Sequence, residues 1–157
     1  MKKICVFSDS HGYADHMIRA ILRETPDLVV HLGDGQSDLR PVRKRFPDLE
    51  VLSVRGNCDT FSDAPSCLCF SVEGHRIFAV HGHTCQVKLD RTFQRLCWAA
   101  LEQEADLALF GHTHIPCHDR YGDLELLNPG SISSGGRPTY GVVLAEPGRI
   151  SAEIRLV

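Results

Sequence analysis

The stretch KICVFSDSHG, Lys3 to Gly12, changes character at a single residue. Up to Phe7 it is short and apolar, the pattern of a strand covered on both faces. From Ser8 it is polar, and Gly12 allows the chain to turn sharply. The same grammar returns in LVVHLGD (Leu28–Asp34), EVLSVRGNCD (Glu50–Asp59), HRIFAVHGHT (His75–Thr84) and LALFGHTH (Leu107–His114). Each apolar run breaks into glycine accompanied by Asp, Asn or His.

The intervening segments set the connections. Ala14 to Arg23 has a helical stripe of Met17, Ile18, Ile21 and Leu22, closed off by Pro26. Leu39, Val42 and Phe46 are also helically spaced, and Pro41 predicts a short helix or one that starts near it. The first third therefore reads βαβαβ, and open sheets of that kind place ligand sites at the carboxyl ends of their strands. Beyond it the pattern shifts. Cys67–Val72 and His75–Val80 flank Glu73-Gly74 as a hairpin, Val87 to Gln103 reads as a helix, and strands are expected near 117–121, 124–127, 139–144 and 149–156. NPGSISSGGRP, 128–138, is a loop. The class is α/β with a substantial antiparallel part, and no GxGxxG or GxxxxGK[ST] loop is present.

Composition narrows the rest. The chain has 157 residues, 43% hydrophobic and 24% charged, which suits one globular domain spanning 1–157. A net charge of -3 gives no global field for a polyanion, so no stable duplex nucleic acid partner is expected. No apolar run approaches the roughly 20 residues of a membrane span, and the two N-terminal lysines lead into no signal peptide. A cytoplasmic protein is expected. Seven cysteines without secretion argue against a disulfide framework; Cys5, Cys67, Cys69 and Cys97 are read as small buried side chains.

Singly, each polar residue at a strand end has a structural explanation as a cap, a turn or a satisfied core group. His31 inside an apolar strand, and His16, His75 and His118, keep that reading. Collectively, Asp9, His11, Asp34, Asn57, His81, His112 and His114 recur at successive strand ends beside glycines. Carboxylate, imidazole and amide oxygen make a mixed N/O donor set suited to transition metals rather than to calcium or magnesium. Seven donors exceed one tetrahedral ion and match two ions sharing a carboxylate, a constellation used to hydrolyse phosphate esters.

The ordered motifs SDSHG, LGD, RGNCD, VHGHT and FGHTH, with LNPGS and TYGVV later in the chain, resemble the calcineurin-like metallophosphoesterase superfamily. The resemblance is nearest to its small single-domain bacterial and archaeal phosphodiesterases, the group to which the retromer scaffold subunit is related. It implies two packed mixed β-sheets flanked by helices, a four-layer sandwich. It also implies two divalent transition-metal ions, manganese first with nickel, iron, cobalt and zinc as alternatives. Asp9, His11, Asp34 and His114 would hold one ion, and Asn57, His81 and His112 would join a bridging Asp34 around the other. The implied nucleophile is a metal-bound water or hydroxide, and the implied substrate a small phosphodiester. A phosphomonoester, or a scaffold role without catalysis, is the alternative, and a homo-oligomer is compatible.

One departure concerns the leaving group. Larger members carry histidine after Gly-Asn, where this chain has Cys58, and a thiol is a weak donor without positive charge. Asp59 and His83 are the remaining candidates for catalytic acid, Asp59 being equally suited to orient a ligand or cap a turn. Arg55 and Arg137 are candidates for phosphate contact.

Overall fold

In the computed structural model, which describes residues 1–133 and 135–157, the apolar runs become strands, and strand residues 4–7, 28–31, 77–80 and 107–109 are screened on both faces. The elements are β1 (Lys2–Phe7), α1 (Ala14–Glu24), β2 (Leu28–His31), α2 (Leu39–Arg45), β3 (Glu50–Ser53), β4 (Cys67–Val72), β5 (His75–Val80), α3 (Gln94–Glu102), β6 (Leu107–Leu109), β7 (Cys117–Tyr121), β8 (Leu124–Asn128), β9 (Thr139–Glu146) and β10 (Arg149–Leu156). One sheet runs β10-β9-β1-β2-β3 and the other β4-β5-β6-β8-β7. Each is mixed. β1 pairs parallel with β2 and β2 with β3, whereas β9 lies antiparallel to β1 and to β10. In the second sheet β5, β6 and β8 are parallel neighbours, with β4 and β7 antiparallel at the edges. Ser134, within the loop expected at 128–138, lies outside the described residues.

Strand alternation explains the layering. Ile4, Val6 and Val30 point inward against Ile77, Ala79, Leu107 and Leu109, so one apolar layer joins both sheets. Their neighbours Cys5, Phe7 and Val29 point outward onto Met17, Ala20 and Ile21 of α1 and Leu39 and Val42 of α2. Phe78, Val80, Ala108 and Phe110 turn likewise onto Leu96, Cys97 and Ala100 of α3. The result is helix, sheet, sheet, helix. Among the described residues no helix is long and apolar enough to cross a membrane.

Several expectations need correction. The helix expected over Val87–Gln103 covers only Gln94–Glu102. The Asp90 carboxylate accepts the Thr92 and Gln94 amides at 2.9 Å each and the Thr92 hydroxyl at 2.6 Å, holding the preceding turn out of helix. In α1, Leu22 faces solvent, and Ala20 and Glu24 complete the buried stripe. Cys67 and Cys69 are exposed because β4 is an edge strand whose other face, Leu68 and Phe70, covers the core. Cys5 and Cys97 are buried.

Glu24 is buried yet charged. Tyr140 donates its hydroxyl to Oε1 at 2.8 Å, Arg155 donates to both carboxylate oxygens at 2.8 and 2.7 Å, and Lys3 Nζ lies 3.6 Å from Oε2. This group ties the end of α1 to β1, β9 and β10. Burial alone would push its carboxyl pKa up, but the hydrogen bonds and positive charges outweigh it and the net direction is down.

Two outcomes follow for stability. Leu109→Ala, in the layer shared by the sheets, should cost about 2–5 kcal/mol in equilibrium urea unfolding. Because the Glu24 pKa is lower folded than unfolded, its contribution is present above the ordinary glutamate pKa and is lost as pH falls through the folded value. A urea series at decreasing pH should show that loss, and Glu24→Gln should flatten the dependence.

Candidate metal centre

Five strand ends, those of β1, β2, β3, β5 and β6, deliver the expected ligands to one place at the seam between the sheets. Asp9 and His11 follow β1, Asp34 follows β2, Asn57 follows β3, His81 follows β5, and His112 and His114 follow β6. Their donor atoms form two groups, Asp9–His11–His114 and Asp34–His81–His112, each with atoms within 4.8 Å of one another. In the first, Asp9 Oδ1 is 3.0 Å from His114 Nε2 and 3.7 Å from His11 Nε2. In the second, His81 Nε2 is 3.4 Å from Asp34 Oδ2 and 3.2 Å from His112 Nδ1. His81 Nε2 also lies 3.0 Å from Asn57 Oδ1 and 3.9 Å from Asp9 Oδ1, so the two groups adjoin.

The local backbone is unusual. Among the described residues ten non-glycine positions have positive φ, and five are Asp9, His11, Asp34, His112 and His114. Such conformations cost about 1–3 kcal/mol each and survive where surrounding structure enforces them. Two glycines make the enforcement possible by close approach. A Cβ on Gly56 would overlap the Asp34 carboxylate, and one on Gly111 would overlap Ser8 Oγ.

Buried hydrogen bonds aim the ligands. Asp9 Oδ2 accepts the Ser8 hydroxyl at 2.5 Å and the His112 amide at 3.0 Å, leaving Oδ1 for His114. Asp34 Oδ1 accepts the Cys58 amide at 2.8 Å. The Asp59 carboxylate accepts four backbone amides: Asp34, Gly35, Gln36 and Gly56, at 2.7, 3.0, 3.1 and 2.8 Å. Both its oxygens are thus spent on the loop that carries Asp34. Burial would raise its pKa, but those amides outweigh burial and bring it down.

Sequence reasoning overlooked a second set of supports. His31 Nδ1 accepts the Gly33 amide at 3.1 Å, so its Nε2–H donates to Ser10 Oγ at 3.0 Å. Ser10 in turn donates to Asp38 Oδ2 at 2.6 Å, which also accepts the Gly12 amide. This buried chain links the turns after β1 and β2. Burial brings the His31 pKa down to about 4, which keeps the ring neutral and this pattern intact. Asn128 donates to Gly111 O and Thr113 Oγ1, and Ser131 donates to Asp9 O, bracing the β6 turn and the β1 turn. The late LNPGS motif was the only sign of the last two.

The donor chemistry fits metal ions. His81 Nδ1–H donates to the Leu32 carbonyl at 2.7 Å, fixing the tautomer with Nε2 bare. Nε2 then faces oxygens of Asn57 and Asp34, so a proton or a cation must lie among these lone pairs. Burial presses the His81 pKa down, but Asp34 and Asp9 overcome it and the net direction is up. Asp34 itself is held far below the carboxylate range, His81 and the Cys58 amide outweighing burial. Burial, with the charges of Lys88 and His81, pushes the His112 pKa down to about 4, leaving a neutral ligand. Among the described residues no Lys or Arg ion-pairs with Asp9 or Asp34, and two buried carboxylates without such partners call for cations.

The other candidates are placed as follows. His83 begins a short turn beside the centre, its ring 5.3 Å from that of His81 and 6.1 Å from that of His112. Its Nδ1 is buried with no hydrogen-bond partner. Cys58 is exposed, and burial of its sulfur together with Asp34 raises the thiol pKa. The Arg55 charge reaches His83. His16, His75 and His118 are occupied elsewhere, by Ile132 O, Glu146 O and Glu125 Oε1.

A four-layer sandwich with paired N/O ligand groups at its strand ends is the architecture of a metallophosphoesterase. Residues 1–147 match the calcineurin-like phosphoesterase superfamily domain, and the chain belongs to that superfamily. The phosphodiesterase YfcE of Escherichia coli (strain K12) is 30% identical over 171 residues, covering 91% of this chain and 88% of its own. A conserved uncharacterized protein of Streptococcus pneumoniae has a crystal structure with TM-score 0.76 and 30% identity, covering 98% of both chains. Vps29 of Entamoeba histolytica, crystallised with Zn2+, shares the fold at TM-score 0.79 and 19% identity, covering 99% of this chain and 98% of its own.

Asp59→Ala should weaken divalent-metal binding about 10–100-fold in isothermal titration calorimetry. The far-UV circular dichroism spectrum should stay that of the parent chain.

Proposed function

We propose that this chain, acting as one domain of 157 residues, is a metal-dependent phosphodiesterase acting on small phosphodiesters. The observation that carries this reading is the adjoining pair of ligand groups, with the His81 donor atom 3.4 Å from Asp34 and 3.9 Å from Asp9. Asp9, His11 and His114 would hold one ion and Asn57, His81 and His112 the other, with Asp34 available to both. Divalent ions bound there supply positive charge to the phosphate oxygens and lower the pKa of a bound water, which makes ester hydrolysis accessible near neutral pH. The mixed N/O donor set suits manganese, nickel, iron, cobalt or zinc, metal availability selects among them, and we take manganese first.

The remaining residues orient and donate. His81 is locked by Leu32, and Asp59 positions Asp34 through the amides of its loop. Asp59 is better placed as a positioning residue than as an acid, since both its oxygens are engaged. Cys58 keeps its proton and carries no charge toward a leaving group. His83, whose half-buried ring lies 5.3 Å from that of His81, is the remaining candidate to hydrogen-bond a phosphate or leaving-group oxygen. It is a neutral donor at pH 7, because burial and the His81 charge bring its pKa down. Without an imidazolium, phenolic leaving groups should fare better than alkoxides. We place the protein in the cytoplasm.

Chelation followed by single-metal addition tests the whole reading. Bis(p-nitrophenyl) phosphate should turn over only with metal, fastest with manganese, and faster than p-nitrophenyl phosphate. His112→Ala should lose roughly 100-fold or more of that activity. Turnover of no ester with any metal would instead support a scaffold role. Aryl and alkyl diesters cleaved at equal rates would remove the argument about the leaving group.

A further inference from the structure

The ligand groups are flanked by clefts of contrasting character. Beside α2, one cleft is lined by Arg40 and Arg43 but also by Asp59 and Asp63, so its charges balance. The other, of 940 Å³, opens on the side of the second sheet, between the chain following β5 and the chain following β6. Thr113 lines it, and Thr113 stands between His112 and His114, so this cleft borders the turn that carries those two residues. Its walls include Val87, Phe93, Ile115 and Pro116, and Ile115 is 67% exposed.

Its charges are of one sign. Lys88 and Arg91 line the cleft and no carboxylate does. Among the described residues neither ion-pairs with an acidic side chain. The one other titratable ring there, His118, is engaged with Glu125 at 2.6 Å. On a chain whose net charge is -3, two cations free of ion pairs beside an apolar wall mark a place where an anion can be held. The Asp90 carboxylate, next in sequence to Arg91, is directed at Thr92 and Gln94 and forms an ion pair with neither cation. Lys88 lies near enough for its charge to bear on the His112 ring.

We propose that this cleft binds one ester arm of the substrate, and that it selects arms with an apolar or aromatic body bearing a second phosphate. This rests on the phosphodiesterase reading and narrows it. The apolar wall receives the body of the arm, while Lys88 and Arg91 hold the second phosphate and the scissile phosphate stays at the metal centre. A plain aryl diester fills the wall and leaves the two cations unused. A monoester leaves the cleft empty on the side of the missing arm.

Two substrates that differ by one phosphate provide the test: thymidine 5′-(p-nitrophenyl phosphate) and the same molecule carrying a 3′-phosphate. With the manganese-loaded protein at low salt, the 3′-phosphate should lower KM about tenfold while kcat changes less than about twofold. The advantage should shrink as salt rises. It should vanish in Lys88→Ala/Arg91→Ala and return in Lys88→Arg/Arg91→Lys, which keeps both charges. Equal kcat/KM for the two substrates in the parent chain overturns the proposal, as does an advantage that survives in the alanine pair. In either case hydrolysis of the unsubstituted ester leaves the phosphodiesterase reading standing. Hydrolysis of neither substrate with any metal overturns both.

Discussion

Two carboxylates, Asp9 and Asp34, are withdrawn from water where the two sheets meet, and the structure around them is organised to hold that charge. Burying an unpaired carboxylate is prohibitively costly unless it is hydrogen-bonded and faces positive charge. Here backbone amides supply the hydrogen bonds, from His112 to Asp9 and from Cys58 to Asp34. Histidines occupy the positions where lysine or arginine would stand in an ordinary buried ion pair. Imidazole donors leave lone pairs pointing at one another, which suits metal ions far better than an ion pair does.

That arrangement constrains the backbone. Amides can reach a carboxylate only if successive turns come into near contact, and the glycines at 56 and 111 remove the Cβ atoms that would collide. Five ligands accept left-handed φ values as a consequence. The strain is held by the apolar layer shared by the sheets and by buried polar chains such as His31–Ser10–Asp38. Function and stability are coupled at this seam, since four of the five strands whose ends supply ligands, β1, β2, β5 and β6, are largely buried.

Much of this was legible before any coordinates. Apolar runs breaking into glycine with Asp, Asn or His placed the ligands at strand ends, because short strands buried on both faces leave polar residues no other exit. Where local sequence misled, a tertiary or local hydrogen bond intervened. Asp90 took the amides that a longer α3 needed, and β4 fell at a sheet edge, which exposed Cys67 and Cys69. Asp59 read equally well as acid, orienting group or cap, and only its four amide partners separate those roles.

By itself the sequence determined the order of strands and helices, the identity of the clustered donors and, through its ordered motifs, the superfamily. These are properties of neighbours along the chain, governed by periodicity and turn chemistry. The tertiary structure alone decided how β8 enters parallel to β6, which residues brace the ligands, and which cleft brings Lys88 and Arg91 beside Thr113. Asn128, Ser131, His31 and Lys88 bear on a site assembled from segments more than a hundred residues apart. Distances across that span arise from how two sheets pack, and no local pattern encodes them.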